Sequence, residues 1–254
     1  MLKITLERVT KSYGKVKAVD GLSLEIKKGE AVGLVGESGC GKSTVASILA
    51  DLIRPDAGQC LFAGKKLAEL NRQEYLNYRR NVQMVFQDFS SALNPRMSAG
   101  ESIAEPIRNF RRPGKKNEIE EKHRVENLLR QLGLTPEDAR RYPRTFSGGQ
   151  RQRICIARAI AAEPSFLLLD EVTSSMDVST QAQILNLLTD LRKSQGMGIL
   201  FISHDIGVVR YICDKILVMY QGSIVEELDS ENLSVAHHDY SKQLLAAVPS
   251  ILEY

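Results

Sequence analysis

The chain contains few cysteines, and no two of them are spaced as a metal-binding or redox pair. Cys40, Cys60, Cys155 and Cys213 are scattered through 254 residues without a C-x-x-C motif. A structural zinc site or a disulfide framework needs closer or more numerous cysteines, so the sequence supports neither of them. This cysteine usage suits a reducing compartment such as the cytosol.

The sequence also lacks an excess of one charge and a long apolar run. Lys and Arg number 34 against 31 Asp and Glu, so the formal net charge is only +3. That balance gives no support for a nucleic-acid-binding surface. No segment approaches the ~20 apolar residues of a spanning helix, and charges interrupt residues 1–8 where a signal peptide needs apolar ones. We therefore expect any membrane role to come through partner subunits.

Short apolar segments predict two kinds of strand. Residues 4–9 and 22–26 alternate between apolar and polar side chains, which favours antiparallel strands with one solvated face. Residues 31–35, 166–169 and 199–202 are continuous apolar runs, typical of buried parallel strands. No internal repeat accompanies them, and the length allows one domain with an insertion or two small lobes.

Helical patterns occupy the segments between these strands. Residues 43–52 and 179–192 each follow a predicted parallel strand, so the core is predicted to be an α/β sheet covered on both faces. Residues 88–164 differ, because they contain no convincing strand and show helical periodicity over 119–132. The residues that share one face of that helix are Val125, Leu128, Leu129 and Leu132.

A phosphate-binding loop follows the apolar run that ends at Val35. It has the sequence Gly36-Glu37-Ser38-Gly39-Cys40-Gly41-Lys42-Ser43-Thr44. A strand before such a loop and a helix after it are the context in which backbone N–H groups can surround a phosphate. In that arrangement Lys42 reaches the β- and γ-phosphates, and the Ser43 hydroxyl binds Mg²⁺.

Two adjacent carboxylates end the apolar run 166–169. A parallel strand delivers Asp170 to the carboxyl edge of the sheet, where open α/β sheets bind ligands. Asp170 is placed to hold Mg²⁺ in part through water, and Glu171 to orient or deprotonate the attacking water. Turn capping is the structural alternative for an acidic pair at a strand end.

A second anion-binding helix start lies at Ser147-Gly148-Gly149-Gln150, before a helical pattern at 151–162. One nucleotide does not need two such sites in one chain. Read alone, this segment is a helix cap. Asp170 follows Lys42 by 128 positions, which leaves room for a helical insertion between the two parts of one site.

The phosphate loop, the Ser147 segment and the Asp170-Glu171 pair together resemble those of the ATP-binding cassette (ABC) ATPases over nearly the whole chain. The resemblance implies an α/β P-loop NTPase (RecA-like) core sheet with an antiparallel β subdomain and a helical insertion subdomain. We expect one ABC transporter domain over 1–250, with its ATP-binding core at 1–87 and 165–230. The helical signature subdomain is expected at 88–164 and a carboxyl-terminal tail at 231–254.

The same resemblance implies roles for further residues. Gln87 resembles the glutamine that binds Mg²⁺ and water, and His204 resembles the switch histidine that contacts the γ-phosphate. Tyr13 resembles the aromatic residue that stacks on adenine. A surface glutamine and a strand-edge tyrosine are the alternatives from the pattern alone. Two cassettes of this family dimerise head to tail, so that Ser147 to Gln150 and Asp177, in the segment Ser174-Ser175-Met176-Asp177, would act in the partner's site.

Several segments resemble the ATPase subunits of peptide and nickel importers. They are residues 86–96, 105–107, 146–153 and 240–249. The resemblance implies ATP and Mg²⁺ as cofactors and a second ATPase subunit, two permeases and an extracytoplasmic solute-binding protein as partners, at the cytoplasmic face of the membrane. A heterodimer is expected before a homodimer, and no nucleic acid. A non-transport ABC ATPase, in translation or on nucleic acid, and an exporter subunit are the alternatives.

Overall fold

The structure is a computed structural model that describes residues 1–88, 91–110, 117–174 and 176–246. Within these ranges the strands form one four-stranded sheet and one six-stranded sheet. Every helix in the same ranges is too short or too polar to cross a bilayer.

The smaller sheet is antiparallel. Strand β1 (Lys3–Tyr13) pairs with β2 (Val16–Lys27) on one side and with β4 (Ala57–Phe62) on the other, and β5 (Lys65–Lys66) extends the β4 edge. The two antiparallel strands predicted from alternation are confirmed, and both are longer than the alternating segments. Leu6 and Leu24, paired in register, are buried against the larger sheet.

The larger sheet has the order β10-β9-β3-β8-β7-β6. Its strands are β3 (Ala31–Val35), β6 (Val82–Val85), β7 (Phe166–Asp170), β8 (Gly198–Ile202), β9 (Lys215–Tyr220) and β10 (Ser223–Asp229). All neighbours pair in parallel except the edge strand β10. The three predicted parallel strands are confirmed, whereas β9 and β10 did not enter the sequence prediction.

Both faces of the larger sheet are covered, which explains the continuous apolar runs. Leu168 and Leu200 face a cluster that includes the smaller sheet and the first helix. Leu167, Leu169 and Phe201 face the opposite cluster, which is built mainly from the later helices. All five side chains have no exposed surface. The α/β fold of a P-loop NTPase, expected from the sequence, is confirmed.

The helices are α1 (Lys42–Leu49), α2 (Arg72–Asn81), α3 (Ala99–Asn109), α4 (Glu118–Gln131), α5 (Gly148–Ala161), α6 (Val178–Gln195), α7 (Ile206–Ile212) and α8 (Asp239–Ala246). Helix α1 ends three residues before the predicted Leu52. Asp51 has a left-handed φ of 52°, which a helix cannot continue through.

Helices α3, α4 and α5 lie between β6 and β7, and the described residues of that interval contain no strand. The predicted apolar face of α4 is confirmed, because Val125, Leu128, Leu129 and Leu132 are all buried. The boundaries proposed for the core, the helical subdomain and the tail stay a prediction.

Candidate nucleotide-binding and hydrolysis site

The candidate site lies at one edge of the larger sheet. Strands β3, β8, β7 and β6 are neighbours and run in the same direction, so their carboxyl ends meet at this edge. The phosphate loop follows β3, Gln87 follows β6, Glu171 follows β7 and His204 follows β8. Residues separated by more than a hundred positions are thereby brought together.

Neighbouring backbone packs closely against the phosphate loop at two of its glycines. Gly36 has a φ of 153°, and a Cβ there would collide with the carbonyl oxygen of Met219. Gly41, at a φ of 111°, is the residue before α1, and a Cβ there would collide with the carbonyl oxygen of Ala18. Side chains are therefore excluded at both positions, and the backbone follows a path that only glycine permits.

Lys42 is buried and turned back into the loop. Its Nζ donates to the carbonyl oxygens of Gly36 at 2.7 Å and of Glu37 at 2.8 Å. Among the described residues, no carboxylate lies within ion-pair distance of this ammonium group. The positive charge is therefore held by two carbonyl dipoles and, at 3.8 Å, by the Cys40 sulfur. With no carboxylate partner, it is available to an incoming phosphate.

Asp170 lies at the end of β7, and only 4% of it is exposed. Burial raises the pKa of this carboxyl and the charge of Glu171 raises it further, while a hydrogen bond from the Ser43 hydroxyl and the charge of Lys42 oppose the shift. Oδ1 is buried without a hydrogen-bond partner among the described residues. An unpartnered carboxylate oxygen beside a hydroxyl fits a cation that prefers oxygen ligands, such as Mg²⁺.

Glu171 is the residue on which three of these strand ends converge. Its backbone φ is 49°, and its N–H donates to the carbonyl oxygen of Ile202 on β8 at 3.0 Å. Gln87 Nε2 donates to the Oε2 carboxylate oxygen of Glu171 at 3.1 Å, and His204 Nδ1 lies 3.7 Å from the same oxygen. The Glu171 side chain is 18% exposed, so the carboxylate is partly shielded but open to water.

The Ser147 segment forms a separate helix start. Ser147 Oγ accepts from the N–H of Gln150 at 3.3 Å, and Gln150 Oε1 accepts from the N–H of Ser147 at 3.0 Å, which is a capping box. Phe146, which precedes it, is buried, and the guanidinium of Arg141 lies 4.2 Å from its ring centroid. Within the described residues, no hydrogen bond or ion pair joins this segment to the phosphate loop.

Two other predicted site residues lie apart from the cluster around Glu171. Tyr13 ends β1 and is 52% exposed, with the Lys11 ammonium 5.9 Å from its ring centroid. Asp177 precedes α6 and accepts from the N–H of Thr180 at 2.9 Å, which caps that helix. Ser175, in the same predicted loop, lies outside the described residues.

The structure adds one residue to the site that sequence reasoning missed. The Tyr240 hydroxyl, on α8, accepts from the backbone N–H of Glu37 at 2.8 Å. The segment that contains Tyr240 was noted only for its resemblance to importer subunits. A contact across 203 positions leaves no local signal in a single sequence.

Comparison with known proteins shows the family to which the chain belongs. A family model described as "ABC transporter" matches residues 19–174. The chain is 47% identical over 235 residues to a probable peptide ABC transporter ATP-binding protein of Sinorhizobium fredii, covering 92% of this chain and 66% of that protein. It is also 47% identical to the oligopeptide transport ATP-binding protein OppF of Bacillus subtilis, covering 93% of this chain and 77% of that protein.

Solved structures show the same fold. The dimeric ATP-binding cassette MJ0796, in a post-hydrolysis state bound to ADP and Pi, superposes with a TM-score of 0.82 at 32% identity, over 90% of this chain and 99% of that one. The cbiO1 protein of Clostridium perfringens, part of the ABC transporter complex cbiONQ, gives 0.76 at 28% identity, over 90% of this chain and 88% of that one. The chain therefore belongs to the ABC transporter family and is one of its ATP-hydrolysing cassettes.

Replacing Asp170 with Asn is expected to stabilise the nucleotide-free protein while abolishing hydrolysis. The fold raises the pKa of Asp170 above its ordinary value of 3.8. As pH rises from about 3.8 through the raised pKa, the buried carboxyl ionises and the native state loses stability. The neutral amide avoids this loss. Thermal unfolding should show a higher Tm for Asp170→Asn than for the wild type at pH 7, and a gap that narrows as pH falls towards 4. A lower Tm at pH 7 would contradict this account of the buried carboxyl.

Proposed function

We propose that this chain is the subunit that uses ATP to energise peptide uptake through partner permeases. The use of ATP is supported by the Glu171 carboxylate, which is contacted by Gln87 and His204 and lies one residue beyond the buried Asp170. This arrangement is suited to hold a water molecule in line with a γ-phosphate. Peptide uptake is supported by the names of the relatives. The following roles are proposals for this chain.

The loop from Gly36 to Thr44 binds the phosphates. Its backbone N–H groups and Lys42 surround the β- and γ-phosphates. Ser43, Asp170 and Gln87 are the oxygen donors that would hold Mg²⁺, in part through water. When bound, Mg²⁺ would neutralise charge on the phosphate oxygens.

Glu171 acts as the general base or orienting group for the attacking water. Gln87 donates to one of its oxygens and so fixes the direction of the carboxylate. His204 is 65% exposed and lies at the end of β8, from which its ring can contact the γ-phosphate and respond to its loss. Tyr13 stacks on the adenine, which an exposed ring at a hairpin end allows.

A second ATPase subunit completes each site. Ser147 is exposed at the start of α5, and the backbone N–H groups of Gly148 and Gly149, which the capping box does not use, form an anion site away from this chain's own phosphate loop. We assign Ser147, Gly148, Gly149 and Gln150 to the γ-phosphate held by the partner. Asp177 is assigned to a contact with the ATP of the partner's site, in a loop that links the two sites. A different ATPase subunit is the first candidate for that partner, and a second copy of this chain is the next.

A groove next to Gln87 is the proposed contact for a permease. It has a volume of about 290 Å³ and is lined by β6, the residues after it and helices α3 and α5, including Phe86, Ala92 and Asn109. Arg158 on α5 lines the groove, and its guanidinium donates to the Ala92 carbonyl and to the Glu105 carboxylate, both at 2.8 Å. The groove therefore links the segment after Gln87 to α5, the helix that Ser147 caps. The resemblance to importer subunits implies a permease contact between residues 88 and about 106, of which residues 89 and 90 lie outside the described residues.

Docking to permeases would place the chain at the cytoplasmic face of the membrane as a peripheral subunit, supplied by an extracytoplasmic solute-binding protein. Both quoted curated relatives are named for peptide transport, which favours a peptide over a nickel complex as the solute. Uptake of labelled dipeptide, oligopeptide and nickel in a deletion strain separates these solutes.

Replacing Glu171 with Gln is expected to leave ATP binding intact and to slow hydrolysis by a factor on the order of 10²–10⁴ because the general base is removed. The ATP-bound dimer should then accumulate in size-exclusion chromatography with Mg-ATP. Glu231→Gln, at an exposed position away from the site, serves as the matched control. Normal turnover of Glu171→Gln together with a purely monomeric profile would contradict the assignment.

Ser147→Arg and Lys42→Ala are expected to impair opposite halves of the dimer. Each variant alone should lose most ATPase activity, since arginine blocks the closed interface and alanine removes the phosphate-binding charge. If the chain self-associates, a mixture of the two should recover part of the activity, because mixed dimers contain one intact site. Full activity of Ser147→Arg alone at low protein concentration would contradict a shared site.

Filling the proposed groove is expected to uncouple hydrolysis from transport. Ala92→Trp and Asn109→Trp should keep the ATPase rate of the isolated chain but abolish uptake and permease-stimulated hydrolysis. Ile119→Trp, on an exposed position of α4 outside the groove, is the control and should transport normally. Normal uptake by both groove variants would place the permease elsewhere, and a parallel loss of the basal ATPase rate would assign the groove to the fold.

A further inference from the structure

Helix α8 connects the carboxyl-terminal part of the chain to the phosphate loop through one side chain. Tyr240, in the first turn of this helix, is 8% exposed, and its ring centroid lies 4.4 Å from that of Tyr220 at the end of β9. Its hydroxyl accepts from the N–H of Glu37 at 2.8 Å. Tyr240 lies outside the range 19–174 matched by the family model.

The peptide group between Gly36 and Glu37 is held from both ends. Its carbonyl oxygen, on Gly36, accepts from Lys42 Nζ, and its N–H, on Glu37, donates to the Tyr240 hydroxyl. A nucleotide would draw Lys42 towards the phosphates and so remove the first of these contacts. The second contact uses the Glu37 N–H, so that phosphate binding is left to the later N–H groups of the loop, and it would then hold the peptide alone.

The position of α8 is itself fixed by the sheet. Glu226 on β10 accepts from the N–H of His237 at 2.6 Å and from the N–H of His238 at 3.3 Å, immediately before the helix. Burial opposes ionisation of Glu226, but these backbone donors prevail and lower its pKa. The carboxylate is therefore ionised at neutral pH, and it anchors the chain just ahead of Tyr240.

We propose that Tyr240 is a positioning residue that holds the Gly36–Glu37 peptide in the orientation required for phosphate binding, so that the carboxyl-terminal helix sets the affinity of this chain for ATP. Gly36 has no side chain to restrict its backbone, and its peptide must keep one orientation for the following N–H groups to converge. Preorganisation of this kind lowers the entropic cost of binding.

The proposal assigns Tyr240 to binding and not to the hydrolytic step. It contacts neither Glu171 nor its partners Gln87 and His204 within the described residues. Loss of the hydroxyl should therefore raise the KM for ATP and leave kcat nearly unchanged. One net hydrogen bond corresponds to a change of about 3- to 10-fold in affinity.

The test compares Tyr240→Phe with Tyr220→Phe in the full-length chain. Tyr240→Phe keeps the stacked ring and removes only the hydroxyl. Tyr220→Phe makes the same change in the other ring, whose hydroxyl accepts from the exposed Gln221 at 3.1 Å and does not contact the loop. Binding of a fluorescent ATP analogue, the KM for ATP, kcat, and the Tm without nucleotide are measured for both variants.

For Tyr240→Phe we expect nucleotide affinity to fall about 3- to 10-fold and KM to rise in parallel, with kcat within a factor of about two and an unchanged Tm. Tyr220→Phe should match the wild type in all four measurements. Unchanged affinity of Tyr240→Phe would overturn the proposal. An equal loss of affinity in Tyr220→Phe would also overturn it. The same holds if the weaker affinity of Tyr240→Phe is accompanied by an equal fall in kcat. A fall in Tm of Tyr240→Phe that accounts for its loss of affinity would assign the hydroxyl to the fold and overturn the proposal.

Discussion

The parallel pairing of four adjacent strands is the constraint on which the site depends. Because β3, β8, β7 and β6 run in one direction, their carboxyl ends open on the same edge and deliver a loop, two carboxylates, an amide and an imidazole to one place. The register pairs Asp170 with Ile202, whose carbonyl accepts the N–H of Glu171. A slip of one residue in this register would turn Asp170 to the other face of the sheet.

The same edge of the sheet buries two charged side chains, and burying either charge alone costs free energy of folding. Asp170 is buried with an unpartnered oxygen, and Lys42 is buried against carbonyl groups without a carboxylate partner among the described residues. The two groups are of opposite sign, and the charge of Lys42 favours the ionised form of Asp170 against the effect of burial. The stability lost in the empty site becomes binding free energy when a phosphate and a cation are bound.

Most of the fold and the core of the site could be predicted from sequence because their signals are local. Continuous apolar runs marked β3, β7 and β8, and the spacing of Gly36, Gly41 and Lys42 marked the phosphate loop. Other features depend on contacts between distant residues. The end of α1 follows from the φ of Asp51, and Tyr240 reaches Glu37 from α8, a helix whose start is anchored by Glu226 on β10. No spacing rule predicts such contacts, since they are set by packing.

We propose that the nucleotide-binding site at this phosphate loop is completed by the Ser147 segment of a partner subunit. A structure of the wild-type chain with a slowly hydrolysed ATP analogue and Mg²⁺, alone and with its partner ATPase subunit, tests it most directly. The account predicts two nucleotides buried between two subunits, each contacted by the loop that begins at Gly36 on one subunit and by the helix that begins at Ser147, or its counterpart, on the other. A nucleotide contacted by one chain only, in a closed dimer, would contradict it.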